Sequence, residues 1–78
     1  MKKVFVYSTD TCPFCVMAKD FLKKNKVPFE DYNVADDSSK LEEMVKKSGQ
    51  TGVPVLDIQG TIIIGFDEPR IRRELGLK

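Results

Sequence analysis

Two hydrophobic periods alternate along the chain. Val4-Phe5-Val6-Tyr7 is apolar without interruption, which predicts a strand over 3–8 that is buried rather than half-exposed. After it, Cys15, Ala18, Phe21 and Leu22 recur at helical spacing with Lys19, Asp20, Lys23 and Lys24 opposite, the stripe of an amphipathic helix reaching Lys24. Ser8 to Thr11 forms the turn between them, with Thr11 at the expected capping position. Asn25-Lys26-Val27-Pro28 ends the helix, because the residue before a proline is pushed toward extended backbone. A second strand is expected over 29–34, with Glu30, Tyr32 and Val34 on one side and enough polar residues to mark a sheet edge.

Asp36-Asp37-Ser38-Ser39 starts a second helix, where Ser39 and Glu42 fit a capping box. Leu41, Met44, Val45 and Ser48 form its stripe, Lys46 and Lys47 complement its dipole, and Gly49 stops it. Residues 53–58 and 61–64 read as a hairpin around Gln59-Gly60. Gly65 to Pro69 leads into a short last helix capped by Asp67, with Ile71 and Leu75 inward and Gly76 at its end. The predicted order is β-α-β-α-β-β-α, an α/β chain whose three helices each have one apolar stripe to lay on a single mixed sheet. The helix between the first two strands implies a parallel pair with a right-handed crossover.

Composition narrows the function classes. Seventy-eight residues make one domain, 1–78, near the size where a single core is marginal. Net charge is +1 from 13 basic and 12 acidic residues, with no tract that suggests nucleic acid; Arg70, Arg72 and Arg73 read as a solvated helix face. No apolar stretch approaches the roughly 18 residues of a membrane span, and the start of the chain does not read as a signal peptide. The expected compartment is a reducing cytoplasm, where paired cysteines are more often catalytic than structural.

The chemistry concentrates in Cys12-Pro13-Phe14-Cys15, which holds the only two cysteines. The first lies at or just before the first turn of a helix, where free N–H groups and the helix dipole favour thiolate over thiol. Pro13 suits this place because it has no N–H to leave unpaired. A dithiol so placed attacks a disulfide with Cys12 and resolves the mixed disulfide with Cys15. A structural disulfide is a competing reading, although closing about four residues stabilises a fold by only roughly 2 kcal/mol. A zinc half-site is another, but with no histidine and no third cysteine it needs carboxylates or a bridging dimer. Haem attachment is excluded by Val16, where a histidine would follow the second cysteine. Pro54 belongs where a strand begins or bends. Spacing leaves the Val53–Pro54 isomer open; a cis bond would present the Val53 backbone to a ligand.

Cys-Pro-Phe-Cys at the first strand–helix junction, Val53-Pro54 some forty residues on, and Gly65-Phe66-Asp67 after a hairpin together resemble the glutaredoxins, and in particular the small bacterial glutaredoxin-like proteins. The resemblance covers nearly the whole chain. It implies a minimal thioredoxin fold with strand order 2-1-3-4, and a cis Val53–Pro54 bond facing the dithiol. It implies that Cys12 is the nucleophile and Cys15 the resolving thiol, that Pro13, Phe14 and Phe66 belong to the substrate groove, and that the Val53 backbone pairs with a substrate peptide. It also implies that Asp67, at a helix start, meets the γ-glutamyl end of glutathione; the residues alone read it equally as a helix cap.

Three positions depart from the glutathione-using pattern: Thr9 where a lysine often meets the glycyl carboxylate, Gly52 for the threonine before Val-Pro, and Ile64-Gly65-Phe66 for a Gly-Gly pair. Gln50, Lys46 and Lys47 are the remaining candidates for that carboxylate. The resemblance therefore implies a thiol–disulfide oxidoreductase for protein or small disulfides, fed by glutathione or by a thioredoxin-reductase-type enzyme. It is expected to act as a monomer, with no bound cofactor or metal and with glutathione at most a cosubstrate. The alternative is a non-catalytic module that holds a metal or cluster with the same dithiol in a dimer.

Overall fold

The computed structural model describes residues 3–77, so Met1, Lys2 and Lys78, at the ends of the expected 1–78 domain, lie outside it. The elements are β1 (Val4–Ser8), α1 (Pro13–Lys24), β2 (Glu30–Asn33), α2 (Ser38–Ser48), β3 (Val55–Ile58), β4 (Thr61–Ile64) and α3 (Glu68–Leu75). The sheet order is β2-β1-β3-β4, as the resemblance implied. β1 runs parallel to β2 and antiparallel to β3, with Tyr7 between Tyr32 and Val55, and β3 and β4 form the antiparallel hairpin.

The alternation of β1 divides the core. Val4 and Val6 face one way with Leu56, Ile58 and Ile63, and are covered by Ala18, Phe21 and Leu22 of α1 and Ile71 of α3. Tyr7 and Val55 face the other way against Met44 of α2 and Val34. Because β1 pairs on both sides and is covered on both faces, its sequence has no room for alternation. The α1 stripe read from the sequence is the set of its buried residues.

Four local expectations are corrected. The N-cap of α1 is Cys12, not Thr11, since the Cys12 sulfur takes the orphan Cys15 N–H and Pro13 occupies the first helical position. α2 is capped by Asp37 rather than by a Ser39–Glu42 box: Asp37 Oδ1 accepts from Ser39 N at 3.1 Å and Lys40 N at 3.2 Å. Ser39 Oγ donates to the same oxygen at 2.7 Å, so it cannot lead the cap itself. β3 starts at Val55, after Val53 and Pro54, because a proline has no N–H to give the ladder. β2 covers 30–33 rather than 29–34, with Phe29 packed on the α1 side and Val34 on the α2 side.

Candidate active site

The site forms where β1 ends and α1 begins. Cys12 has extended backbone (φ −100°, ψ 109°), and its Sγ accepts the N–H of Cys15 at 3.2 Å. A donor aimed at sulfur from a helix start holds negative charge there better than water-exposed backbone does. Cys12 is partly exposed and Cys15 fully buried, and the two are free thiols. Burial first, and then the hydrogen bond with Cys12, push the Cys15 thiol up to about 11, against the Thr9 N–H and Lys19, which pull it down. Cys15 is therefore a neutral thiol at ordinary pH, and the two sulfurs are chemically unlike.

Across from α1, the Val53–Pro54 peptide is cis, and the Val53 carbonyl accepts a long hydrogen bond, 3.7 Å, from the Cys12 thiol. Pro54 is buried, and its carbonyl accepts from Gly65 N at 2.8 Å. Gly65, at φ 81°, turns the chain out of β4 here. The structure thus brings together Cys12, Cys15, Val53 and Pro54 and ties the β4–α3 corner to them through Gly65. Pro13 and Phe14 lie on the exposed flank, the Phe14 ring 59% accessible. Phe66 and Asp67 have structural tasks: the Phe66 ring meets Phe21 edge-on at 5.8 Å, and Asp67 caps α3 by accepting from Arg70 N at 3.3 Å.

Two of the expected glycyl-carboxylate partners are engaged elsewhere. The Gln50 amide closes on Gly52, accepting its N–H at 2.6 Å and donating to its carbonyl at 3.0 Å. A Cβ at Gly52 would come within 2.7 Å of Gln50 Oε1, so this clasp depends on glycine. Lys47 Nζ donates to Asp57 Oδ2 at 2.7 Å and to Tyr7 Oη at 2.8 Å.

Sequence reading missed two polar groups. Tyr7 donates to Glu43 and accepts from Lys47, and Lys47 also reaches the buried Asp57. Burial lowers the Lys47 ammonium, but the hydrogen bonds to Asp57 and Tyr7 outweigh it and leave the group raised. Lys19, placed with the solvated face of α1, instead donates to Asp31 Oδ2 at 3.0 Å and to Ser8 Oγ at 3.5 Å, and Ser8 donates to Asp31 Oδ1 at 2.7 Å. The available signal was a polar residue within an otherwise apolar strand, Asp57 in β3 and Ser8 at the end of β1.

Comparison with known proteins places this geometry. Residues 4–63 match the family model for Glutaredoxin. An uncharacterised glutaredoxin-like 8.6 kDa protein in the rubredoxin operon of Clostridium pasteurianum is 50% identical over 66 residues, 85% of this chain and 88% of that protein. Glutaredoxin 3 of Escherichia coli K12 is 38% identical over 68 residues, covering 87% of this chain and 82% of its own. Among solved structures, a mutant of the thioredoxin-like protein BC3987 superposes with a TM-score of 0.93 at 31% identity, over 100% of both chains.

Proposed function

The chain belongs to the glutaredoxin family, and from that premise we propose that it is a dithiol–disulfide oxidoreductase acting on protein or small-molecule disulfides. The observation that carries the reading is the asymmetry of the dithiol: a partly exposed Cys12 sulfur aimed at by the Cys15 N–H, above a buried, protonated Cys15. Cys12 as thiolate attacks one sulfur of the substrate disulfide, and the other sulfur leaves with the electron pair. Cys15 then attacks Cys12 in the mixed disulfide, the second substrate thiol departs, and the Cys12–Cys15 disulfide remains for a donor to reduce. The Val53 backbone, beside Cys12, is where a substrate peptide pairs, and Phe14 offers it an exposed ring.

For the donor, a thioredoxin-reductase-type enzyme fits better than glutathione, because two of the three expected carboxylate partners, Gln50 and Lys47, are committed to Gly52 and Asp57, which leaves only the exposed Lys46. The chemistry suits a reducing cytoplasm, where paired cysteines are more often catalytic than structural. No helix among the described residues is long and apolar enough to cross a membrane.

The test is trapping. Cys15→Ser should hold a stable mixed disulfide with substrate, and Cys12→Ser should form none. Adduct formation by Cys12→Ser at a comparable rate would reverse the roles.

A further inference from the structure

The proposed cycle leaves a difficulty at its second step, and the surroundings of Cys15 supply an answer that rests on that reading. Cys15 is fully buried and must become a nucleophile, so the step needs a nearby charge that favours its thiolate. Cys15 and Lys19 are four residues apart on α1, which places their side chains on neighbouring turns of one face. Lys19 is not left to wander: its ammonium is 3.0 Å from Asp31 Oδ2 on β2 and 3.5 Å from Ser8 Oγ at the end of β1. Ser8 is itself only 2% exposed and is fixed by Asp31 at 2.7 Å. The residue after Ser8, Thr9, begins the loop that leads from β1 to the dithiol. The ends of β1 and β2 thus anchor a cation carried one turn after Cys15 on α1.

We propose that Lys19 is the charge that supports Cys15 as it attacks the Cys12 mixed disulfide, with Asp31 and Ser8 as positioning residues that keep the ammonium in place. In this step the Cys15–Cys12 bond forms, the bond from Cys12 to the substrate sulfur breaks, and that sulfur leaves with the electron pair. The proton lost by Cys15 ends on the departing thiol, so the products are the Cys12–Cys15 disulfide and a free thiol. The ionisable groups that shift Cys15 include Cys12, at the N-cap of α1, and Lys19, within the helix. Asp31 on β2 is paired with Lys19, and Asp10 in the loop before α1 accepts from Asn33 at 3.0 Å. Lys19 is the only cation in this set, and it pulls the Cys15 thiol down against burial.

The experiment reduces one equivalent of a chromogenic aromatic disulfide with the dithiol protein under stopped flow and follows release of the two thiolates. The first phase reports attack by Cys12 and the second reports resolution by Cys15. Lys19→Met and Lys19→Gln should slow the second phase at pH 7 by about three- to tenfold, the effect of one partly screened charge nearby. The pH midpoint of that phase should move upward, the first phase should stay as in wild type, and Lys19→Arg should retain most of the rate. Alkylation of Cys15 in the Cys12→Ser background should show the same upward movement when Lys19 is replaced. A second phase with unchanged rate and unchanged pH midpoint in both neutral variants would overturn the proposal while leaving the oxidoreductase reading standing. Absence of the first phase in wild type would overturn that reading instead.

Discussion

At the scale of single residues, the position that matters most is Cys15, whose fold-imposed neutrality has a consequence for stability. Its thiol is raised from an ordinary value of 9.0 to about 11, chiefly by burial. A group raised in the folded state stabilises the fold in its protonated form, so the contribution is complete below about pH 9 and is lost as pH climbs toward 11. The reduced wild type should therefore lose stability between these values more steeply than reduced Cys15→Ala; parallel urea midpoints across the window would contradict this. Tyr7, also raised, first by burial and then by its bond to Glu43, is common to both proteins and cancels. Lys47 is a second such position. Its partner Asp57 has a side chain only 9% exposed, while Lys47 keeps 30%. Lys47→Met leaves a nearly buried carboxylate with the Gly60 N–H, at 2.8 Å, but no cation, and should cost about 2 kcal/mol, less than a fully buried pair because water reaches the lysine. Adding Asp57→Leu should recover part of that loss, short of the Gly60 N–H bond it also removes, as a double-mutant cycle in urea would read out.

At the scale of elements, helix faces were legible and two of the three helix starts were not. A stripe such as Cys15, Ala18, Phe21 and Leu22 is set by the 3.6-residue period, which no neighbour can alter. A cap is a competition among adjacent side chains for the same few N–H groups, and sequence shows the contestants without the winner. Hence Asp37 prevailed over Ser39, and the thiol of Cys12 over the hydroxyl of Thr11. Asp67 was legible because Glu68 and Pro69 follow it, neither of which offers a rival Asx or hydroxyl cap. Its two readings separate by substitution. Asp67→Ala should lower stability by about 1 kcal/mol through loss of the cap, whereas Asp67→Ser should retain most of it. If the carboxylate also meets the ammonium of glutathione, both variants lose glutathione-dependent turnover alike. Turnover that falls only in the alanine variant would reduce Asp67 to a cap.

At the scale of the whole molecule, element order, the parallel β1–β2 pair and the β3–β4 hairpin followed from periodicity and connection length, while the strand order and the antiparallel β1–β3 pairing came from the resemblance. The pairing of Lys19 with Asp31 and the clasp of Gln50 on Gly52 were not legible, because each joins residues through tertiary placement or a side-chain rotamer. That clasp bears on the donor. Glutathione carries two carboxylates and one ammonium, so a tight site wants two positive partners and one negative. The resemblance assigns one end to the helix start at Asp67, but at the other Lys47 is held by Asp57 and Gln50 by Gly52, Thr9 brings no charge, and only the exposed Lys46 is left of the expected partners. A missing charge-assisted hydrogen bond costs about 1.5–3 kcal/mol, roughly ten- to a hundredfold in affinity. Wild type should accordingly use glutathione weakly, and Thr9→Lys should lower the apparent KM for glutathione by up to that factor. Turnover coupled to thioredoxin reductase and NADPH should change little in the same variant, since that donor docks as a protein and brings no glycyl carboxylate. Assays at several glutathione concentrations decide it: an apparent KM untouched by Thr9→Lys would remove charge as the reason for weak glutathione use, leaving the closed Gln50–Gly52 clasp as the barrier.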